Sequence, residues 1–273
     1  MRVRFWGVRG SVSTPEQNKL QVGGNTSCVE LDTGNRRIIL DAGTGIRPLG
    51  KSVAKDIIAG KSREITLFLS HTHWDHIQGF PVFAPAFLSD ADIHVYGPAK
   101  ANRKLEQLFS GQLAYDYWPV KLNHFPAKIR FTELEEGTHN FPDGLVVTAR
   151  RHIHPGVAFG YRFEYEGKSL VYCTDVEHFQ NHLDERVIDL ASGADLLVHD
   201  AQYDENELDS RLGWGHSTWK QAVDVSIAAK AKRVALFHMD PDRNDENCAR
   251  MEKDAQAIFP GAFMAREGLT IEL

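Results

Sequence analysis

Four metal-ligand side chains crowd into six residues, His71, His73, Asp75 and His76 of the run Ser70-His71-Thr72-His73-Trp74-Asp75-His76. Imidazole and carboxylate together suit zinc, manganese or iron, and such ions activate water for hydrolysis. In a stiff turn His71 and His73 can grip one ion, while Asp75 and His76 point to a second. Four side chains under-coordinate two ions, so the fold must bring more imidazole and carboxylate from elsewhere. Three later segments offer it: His154 in His154-Pro155-Gly156, Asp175 after Leu170-Val171-Tyr172-Cys173-Thr174, and His238 after Val234-Ala235-Leu236-Phe237. Each follows or flanks a β-rich run.

The elements that must position these groups follow from the apolar pattern. Ile65-Thr66-Leu67-Phe68-Leu69 reads as a buried strand, and ligands just past its carboxyl end sit where open α/β sheets bind ligands. Further strands are predicted near residues 2–6, 27–32, 36–41, 92–96, 145–150, 158–165, 168–173, 195–199, 232–237 and 268–272. Helices are predicted over 46–59, 100–113, 184–192, 217–230 and 245–258, the fourth opening on the N-cap chemistry of Ser217-Thr218. Strands dominate early and alternate with helices later, so the expected class is α/β (α+β), mixed sheets covered by helices on their outer faces. No linker, repeat or low-complexity block divides the 273 residues, which predicts one domain over 1–273, with 98–130 as a lid or dimerisation insert.

Composition narrows the partners. A net charge of -6 gives no general attraction to nucleic acid, so an anionic substrate must be held locally. No eighteen uncharged apolar residues follow one another, and the amino terminus lacks an apolar segment, which predicts a cytoplasmic protein without a membrane partner. Cys28, Cys173 and Cys248 are odd in number and scattered, which fits buried reduced thiols.

Residues 71–76 match the H-x-H-x-D-H signature in every fixed position, and the chain resembles the metallo-β-lactamase superfamily over nearly its whole length. The resemblance implies an αββα sandwich with two divalent ions, zinc first and manganese or iron as alternatives. It implies that His71, His73 and His154 hold one ion, that Asp75, His76 and His238 hold the other, and that Asp175 bridges them. His152 competes with His154, being two residues earlier on the same face of an extended strand. The strand-like Phe159-Gly160-Tyr161 that follows favours His154. By default His94, His124, His139, His178 and His182 are structural. The segments His199-Asp200-Ala201 and Gly215-His216-Ser217-Thr218 resemble motifs of the branch holding the tRNA-maturation nuclease and cyclic-phosphate phosphodiesterases. Trp6-Gly7-Val8-Arg9-Gly10-Ser11, Gly23-Gly24-Asn25-Thr26-Ser27 and Asp41-Ala42-Gly43-Thr44-Gly45 also look like this branch. The likeness implies His216 as general acid and Asp200 as its orienter, although the nuclease has Glu where this chain has the shorter Asp. Arg9 is a candidate to steady a phosphate oxygen.

The superfamily also cleaves lactams and thioesters, so the metal signature leaves the substrate open. A histidine oriented by a carboxylate favours a phosphodiester, whose alkoxide leaves poorly unless protonated. The implied chemistry is attack of metal-activated water on phosphorus, with Asp75 orienting the water and His216 protonating the departing oxygen. Lys100, Arg103, Lys104, Lys121, Lys128 and Arg130 lie among Phe109, Tyr115, Tyr117, Trp118 and Phe125, a set that suits a ribose phosphate and a stacked base. The same aromatics could instead pack on the sandwich or form a homodimer face. The expected substrate is a small phosphodiester, a cyclic nucleotide first. Cleavage at tRNA 3′ ends ranks lower because no protruding basic arm is evident. The rival readings are hydrolysis of a carbon ester, thioester or lactam, and a metal-stabilised binding module without catalysis.

Overall fold

Strands that are apolar at successive positions need cover on both faces. In β3 (Arg37–Leu40) and β4 (Glu64–Phe68), Ile38, Leu40 and Phe68 enter one hydrophobic core, while Ile39 and Leu67 enter another. That alternation places the sheet in the middle of a layered structure. The structure is a computed structural model, and it describes residues 1–100, 102–179 and 182–273.

β1 (Arg2–Gly7), β2 (Cys28–Asp32), β3, β4, β5 (Asp92–Pro98), β6 (Lys128–Leu134) and β14 (Thr270–Glu272) form the first sheet, in the order β14-β1-β2-β3-β4-β5-β6. β7 (Gly137–Asn140), β8 (Val146–His152), β9 (Ala158–Tyr165), β10 (Lys168–Cys173), β11 (Leu196–Asp200), β12 (Val234–Phe237) and β13 (Ala262–Met264) form the second, in the order β13-β12-β11-β10-β9-β8-β7. Each sheet is mixed: β3 to β6 and β10 to β13 run parallel, and the remaining neighbours run antiparallel.

The core between the sheets is aliphatic with a cluster of aromatic rings in it. Phe68 meets Phe163 edge-on with ring centroids 5.2 Å apart, and Phe5 lies 6.2 Å from Phe237. Truncating Phe68 to Ala should cost about 3–5 kcal/mol, the range for a buried aromatic that leaves a cavity. On the outer faces, α1 (Ile46–Ile58) buries Ile46, Leu49, Val53 and Ile57, a helical stripe, against the first sheet. α4 (Glu185–Ala191), α5 (Trp219–Ala228) and α6 (Asp245–Ile258) cover the second. The architecture is thus the expected αββα sandwich.

Several boundaries differ from expectation. The helix predicted over 100–113 forms only as α3 (Leu105–Gly111), with Lys104 extended at its N-cap; Ala101, inside that prediction and inside the 98–130 insert, lies outside the described residues. α5 starts at Trp219 because Thr218 is its N-cap, accepting from Gln221 N. Strands β6, β7 and β13 were not foreseen: β6 alternates charged and apolar residues near the sheet edge, and the other two are four and three residues long. Among the described residues no helix is long and apolar enough to cross a membrane.

Candidate metal centre

The parallel halves of both sheets direct their carboxyl ends to one edge of the sandwich. Asp41 follows β3, Ser70 to His76 follow β4, Asp175 follows β10, Asp200 ends β11 and His238 follows β12. α2 (Trp74–Ile77) begins inside the H-x-H-x-D-H run and buries Asp75 and His76. Three of these residues sit in the left-handed backbone region, with φ of 60° at Asp41, 55° at Asp175 and 64° at His238. Such conformations cost about 1–3 kcal/mol in a non-glycine residue and persist only where the surroundings over-determine them.

The side chains converge in two groups. His71, His73 and His154 form the first; Asp75, His76, Asp175 and His238 form the second, and within each group ligand atoms lie within 4.8 Å of one another. His154 Nε2 is 3.1 Å from His73 Nδ1, and His76 Nε2 is 3.3 Å from His238 Nε2. Ligands about 2.0–2.1 Å from a tetrahedral ion stand roughly 3.3 Å apart, so the spacings fit. Asp175 joins the groups. Its Oδ2 lies 3.1 Å from His76 Nε2 and 3.3 Å from His238 Nε2, while Oδ1 lies 3.7 Å from His71 Nε2 and 3.9 Å from His154 Nε2.

Four of the five imidazoles are aimed by their other nitrogen. His154 Nδ1 donates to the Gly215 carbonyl at 2.9 Å, His238 Nδ1 to Gln202 Oε1 at 3.0 Å, and His76 Nδ1 to Asp41 Oδ2 at 2.7 Å. These bonds leave Nε2 facing the centre. His71 Nδ1 meets Ser70 Oγ at 3.0 Å, and its Nε2 is buried with no hydrogen-bond partner. A buried polar atom left unmatched among converging lone pairs is what a cation satisfies, so the seven residues fit two divalent ions.

Electrostatics separate the groups. Burial pushes His71 well below its ordinary range, and burial with neighbouring His154 pushes His73 down to about 4. Burial also lowers His154. At His76 burial opposes the charge, but Asp175, Asp75 and Asp41 overcome it and raise the group well above its ordinary value. Asp75 and Asp175 are held low against burial by the surrounding imidazoles.

Beside this centre His216 Nδ1 lies 2.8 Å from Asp200 Oδ2, so the shorter acidic arm reaches. It reaches because the loop is drawn in. Asp200 also accepts from Ser217 N at 3.0 Å, and the buried Glu177 carboxylate accepts from Gly213 N and Gly215 N at 2.8 and 2.7 Å. Gly215 has φ of 89°, and a Cβ there would stand 2.1 Å from His154 Nδ1, so only glycine allows the carbonyl to cap that ligand. Burial opposes a charge on His216, but Asp200 outweighs it and pushes the group up to about 9. Its ring stacks on His238 at 5.0 Å, and Nδ1 is 4.0 Å from Asp175 Oδ1.

Comparison with known proteins agrees with this geometry. A family described as "Beta-lactamase superfamily domain" matches residues 36–239. The chain belongs to that superfamily. Ribonuclease Z of Archaeoglobus fulgidus is 24% identical over an alignment that covers 100% of this chain and 97% of the relative. Among solved structures, the metallo-beta-lactamase fold protein YhfI from Bacillus subtilis superposes with a TM-score of 0.75 at 19% identity, covering 100% of this chain and 98% of the other. A diphosphatase from the PhnP family gives a TM-score of 0.70 at 19% identity, covering 100% and 97%. The protein is therefore a metal-dependent hydrolase of that superfamily, similar to ribonuclease Z, and its His and Asp cluster suits a dinuclear divalent site.

Within this superfamily member one expected site residue is corrected. Arg9 is fully buried, and its guanidinium donates to the carbonyls of Gly23, Asp240, Arg243 and Lys19. Four of its five donors are spent on backbone, so it ties the amino-terminal loop to the segment after β12 and presents no exposed surface to a phosphate. His152, the competitor of His154, lies instead near His178 and His199, whose rings stack at 5.4 Å; both ring nitrogens of His152 lack a partner. His94 bonds Thr132, His139 bonds the Glu135 carbonyl, His182 stacks on Phe179, and His124 is exposed. The supporting residues Asp41, Ser70, Gln202 and Glu177 were not assigned roles from sequence. Asp41 had a signal, an acidic residue ending a strand before glycine; Gln202 had none.

Proposed function

We propose that this hydrolase cleaves phosphodiesters, acting on a small nucleotide, with a cyclic nucleotide as first substrate. The observation that carries the reading is the 2.8 Å pair of His216 and Asp200 beside the metal ligands. A metal-activated water suffices for lactams and thioesters, whereas the alkoxide leaving a phosphodiester needs a proton. When bound, two divalent ions, zinc foremost given the three-imidazole set, would acidify a water toward a pKa near ~7 and neutralise phosphate oxygens. The remaining steps belong to the chain. Asp75 Oδ2, fixed by Ser11 N at 2.8 Å, orients the nucleophile. His216, kept protonated by Asp200, gives its Nε2 proton to the departing oxygen.

Cleavage at tRNA 3′ ends is the second reading, favoured by full-length relatives named ribonuclease Z. The net charge of -6 weighs against a polyanion, and the alignment with the Archaeoglobus relative runs to 331 positions against 273 residues here, so that relative carries sequence this chain lacks. Three buried free thiols support a cytoplasmic setting. The test is turnover of bis(p-nitrophenyl) phosphate, 3′,5′-cyclic AMP, a precursor tRNA and p-nitrophenyl acetate by zinc-reconstituted protein. Chelator-sensitive turnover of the diesters is expected. Hydrolysis of the acetate alone overturns the reading, and efficient tRNA cleavage without cyclic AMP turnover selects the second.

A further inference from the structure

α2 divides its faces between two tasks. Asp75 and His76 turn inward to the metal centre, whereas Trp74, Ile77 and Gln78, at helical spacing i, i+3 and i+4, line a cleft of about 490 Å³. The opposite wall is α3 and the chain after it, contributing Gln112, Tyr117 and Trp118, with Arg103 at the start of that segment. Lys100 Nζ donates to Thr72 Oγ1 at 2.9 Å, so the insert is tied to the turn that carries His71 and His73.

The cleft has four properties that plain packing does not require. Trp74 and Tyr117 are each 73% exposed, although large aromatics normally hide most of their surface. Trp118 Nε1 and Gln112 Nε2 are buried donors with no hydrogen-bond partner. Arg103 is exposed and makes no ion pair or side-chain hydrogen bond among the described residues. The volume lies in the range of small-molecule sites. Exposed π-faces beside a guanidinium without a protein partner among the described residues are complementary to a planar heteroaromatic base attached to a sugar phosphate.

We infer that this cleft seats the nucleobase of the substrate, stacked against Trp74 and Tyr117, with Arg103 on the sugar-phosphate side. The inference rests on the phosphodiesterase reading and deepens it: the substrate is recognised at its base, and residues 103–118 form the specificity wall. Stacking is tolerant of base identity, so the cleft should accept purines and pyrimidines alike.

The test titrates AMP and ribose 5-phosphate into zinc-loaded protein by calorimetry, and compares turnover of thymidine 5′-p-nitrophenyl phosphate with methyl p-nitrophenyl phosphate. AMP should bind about 5–100-fold more tightly than ribose 5-phosphate, and the nucleoside diester should be preferred by a similar factor. Tyr117→Ala and Trp74→Ala should each remove most of both preferences; circular dichroism checks their folding, and Tyr117, at the surface, tolerates truncation. Equal affinity for the two phosphates, or a preference that survives both substitutions, overturns the inference. Turnover of both diesters without base preference sinks the cleft and spares the phosphodiesterase. Base-dependent AMP binding lost in the two variants, with no diester turnover, sinks the phosphodiesterase and spares the cleft.

Discussion

The two halves of the metal centre are built on different principles. The His71, His73 and His154 side is supported by neutral groups, the Ser70 hydroxyl and the Gly215 carbonyl, and one of its ligands, His73, is exposed. Burial keeps its imidazoles neutral, so the lone pairs are ready for an ion. The Asp75, His76 and His238 side is buried and charged, with Asp41 behind His76 and Asp175 in front. There the carboxylates hold a proton on His76 that an entering ion must displace. One half is preorganised by desolvation and the other by charge, and Asp175 couples them.

The strongest way to break this contrast is to remove the coupler. Asp175→Ala should lose both ions and bring turnover to background, as metal content by mass spectrometry and assay will report; retention of the three-histidine ion at wild-type affinity would show that the halves are independent. Asp41→Asn should act chiefly on one side, weakening the ion at His76 by about 10–100-fold, with a smaller effect passed to His71 through Ser70, whose Oγ donates to Asp41 Oδ2 at 2.8 Å. Calorimetry near pH 7 in buffers of different ionisation enthalpy should find about one proton released by the ion at the His76 side and close to none by the other. Equal release at both sides would remove the electrostatic distinction.

The smallest effect lies behind the centre. Burial pushes His152 down to about 4 and His178 down to about 2, against an ordinary 6.5. Below pH 6.5 the unfolded chain takes protons that these folded groups refuse, so their contribution to stability is present above that pH and is lost as acidity rises toward the folded values. The melting temperature of metal-free protein should fall between pH 7 and 5, and less steeply in His178→Gln. Parallel slopes would mean that His178 titrates normally.

What the sequence made legible was local. His71 to His76 are contiguous, so their spacing alone announces a site, and alternating or continuous apolar runs outlined most of the sandwich. Residues that act at a distance were harder. His152 and His154 differ by two positions, and only the end of β8 at His152 and the turn after it separate a buried packing histidine from a ligand. Arg9 carried a charge beside glycines, a pattern equally suited to anion binding and to capping carbonyls, and burial decided for the second. Gln202 supports His238 across 36 residues of chain, a pairing no local pattern encodes. β6 was hidden because Ile129 and Phe131 alternate with Lys128, Arg130 and Thr132 on the opposite face, so no continuous apolar run marks it.

The central claim is that His216 protonates the leaving oxygen at a dinuclear metal centre. Wild type and His216→Ala, both loaded with two ions, can be compared on a series of methyl aryl and methyl alkyl phosphodiesters of rising leaving-group pKa. The loss should grow along the series, from little with p-nitrophenol toward about 10²–10⁴-fold with an alkoxide. A loss independent of the leaving group, or none at all with metals retained, would contradict the claim.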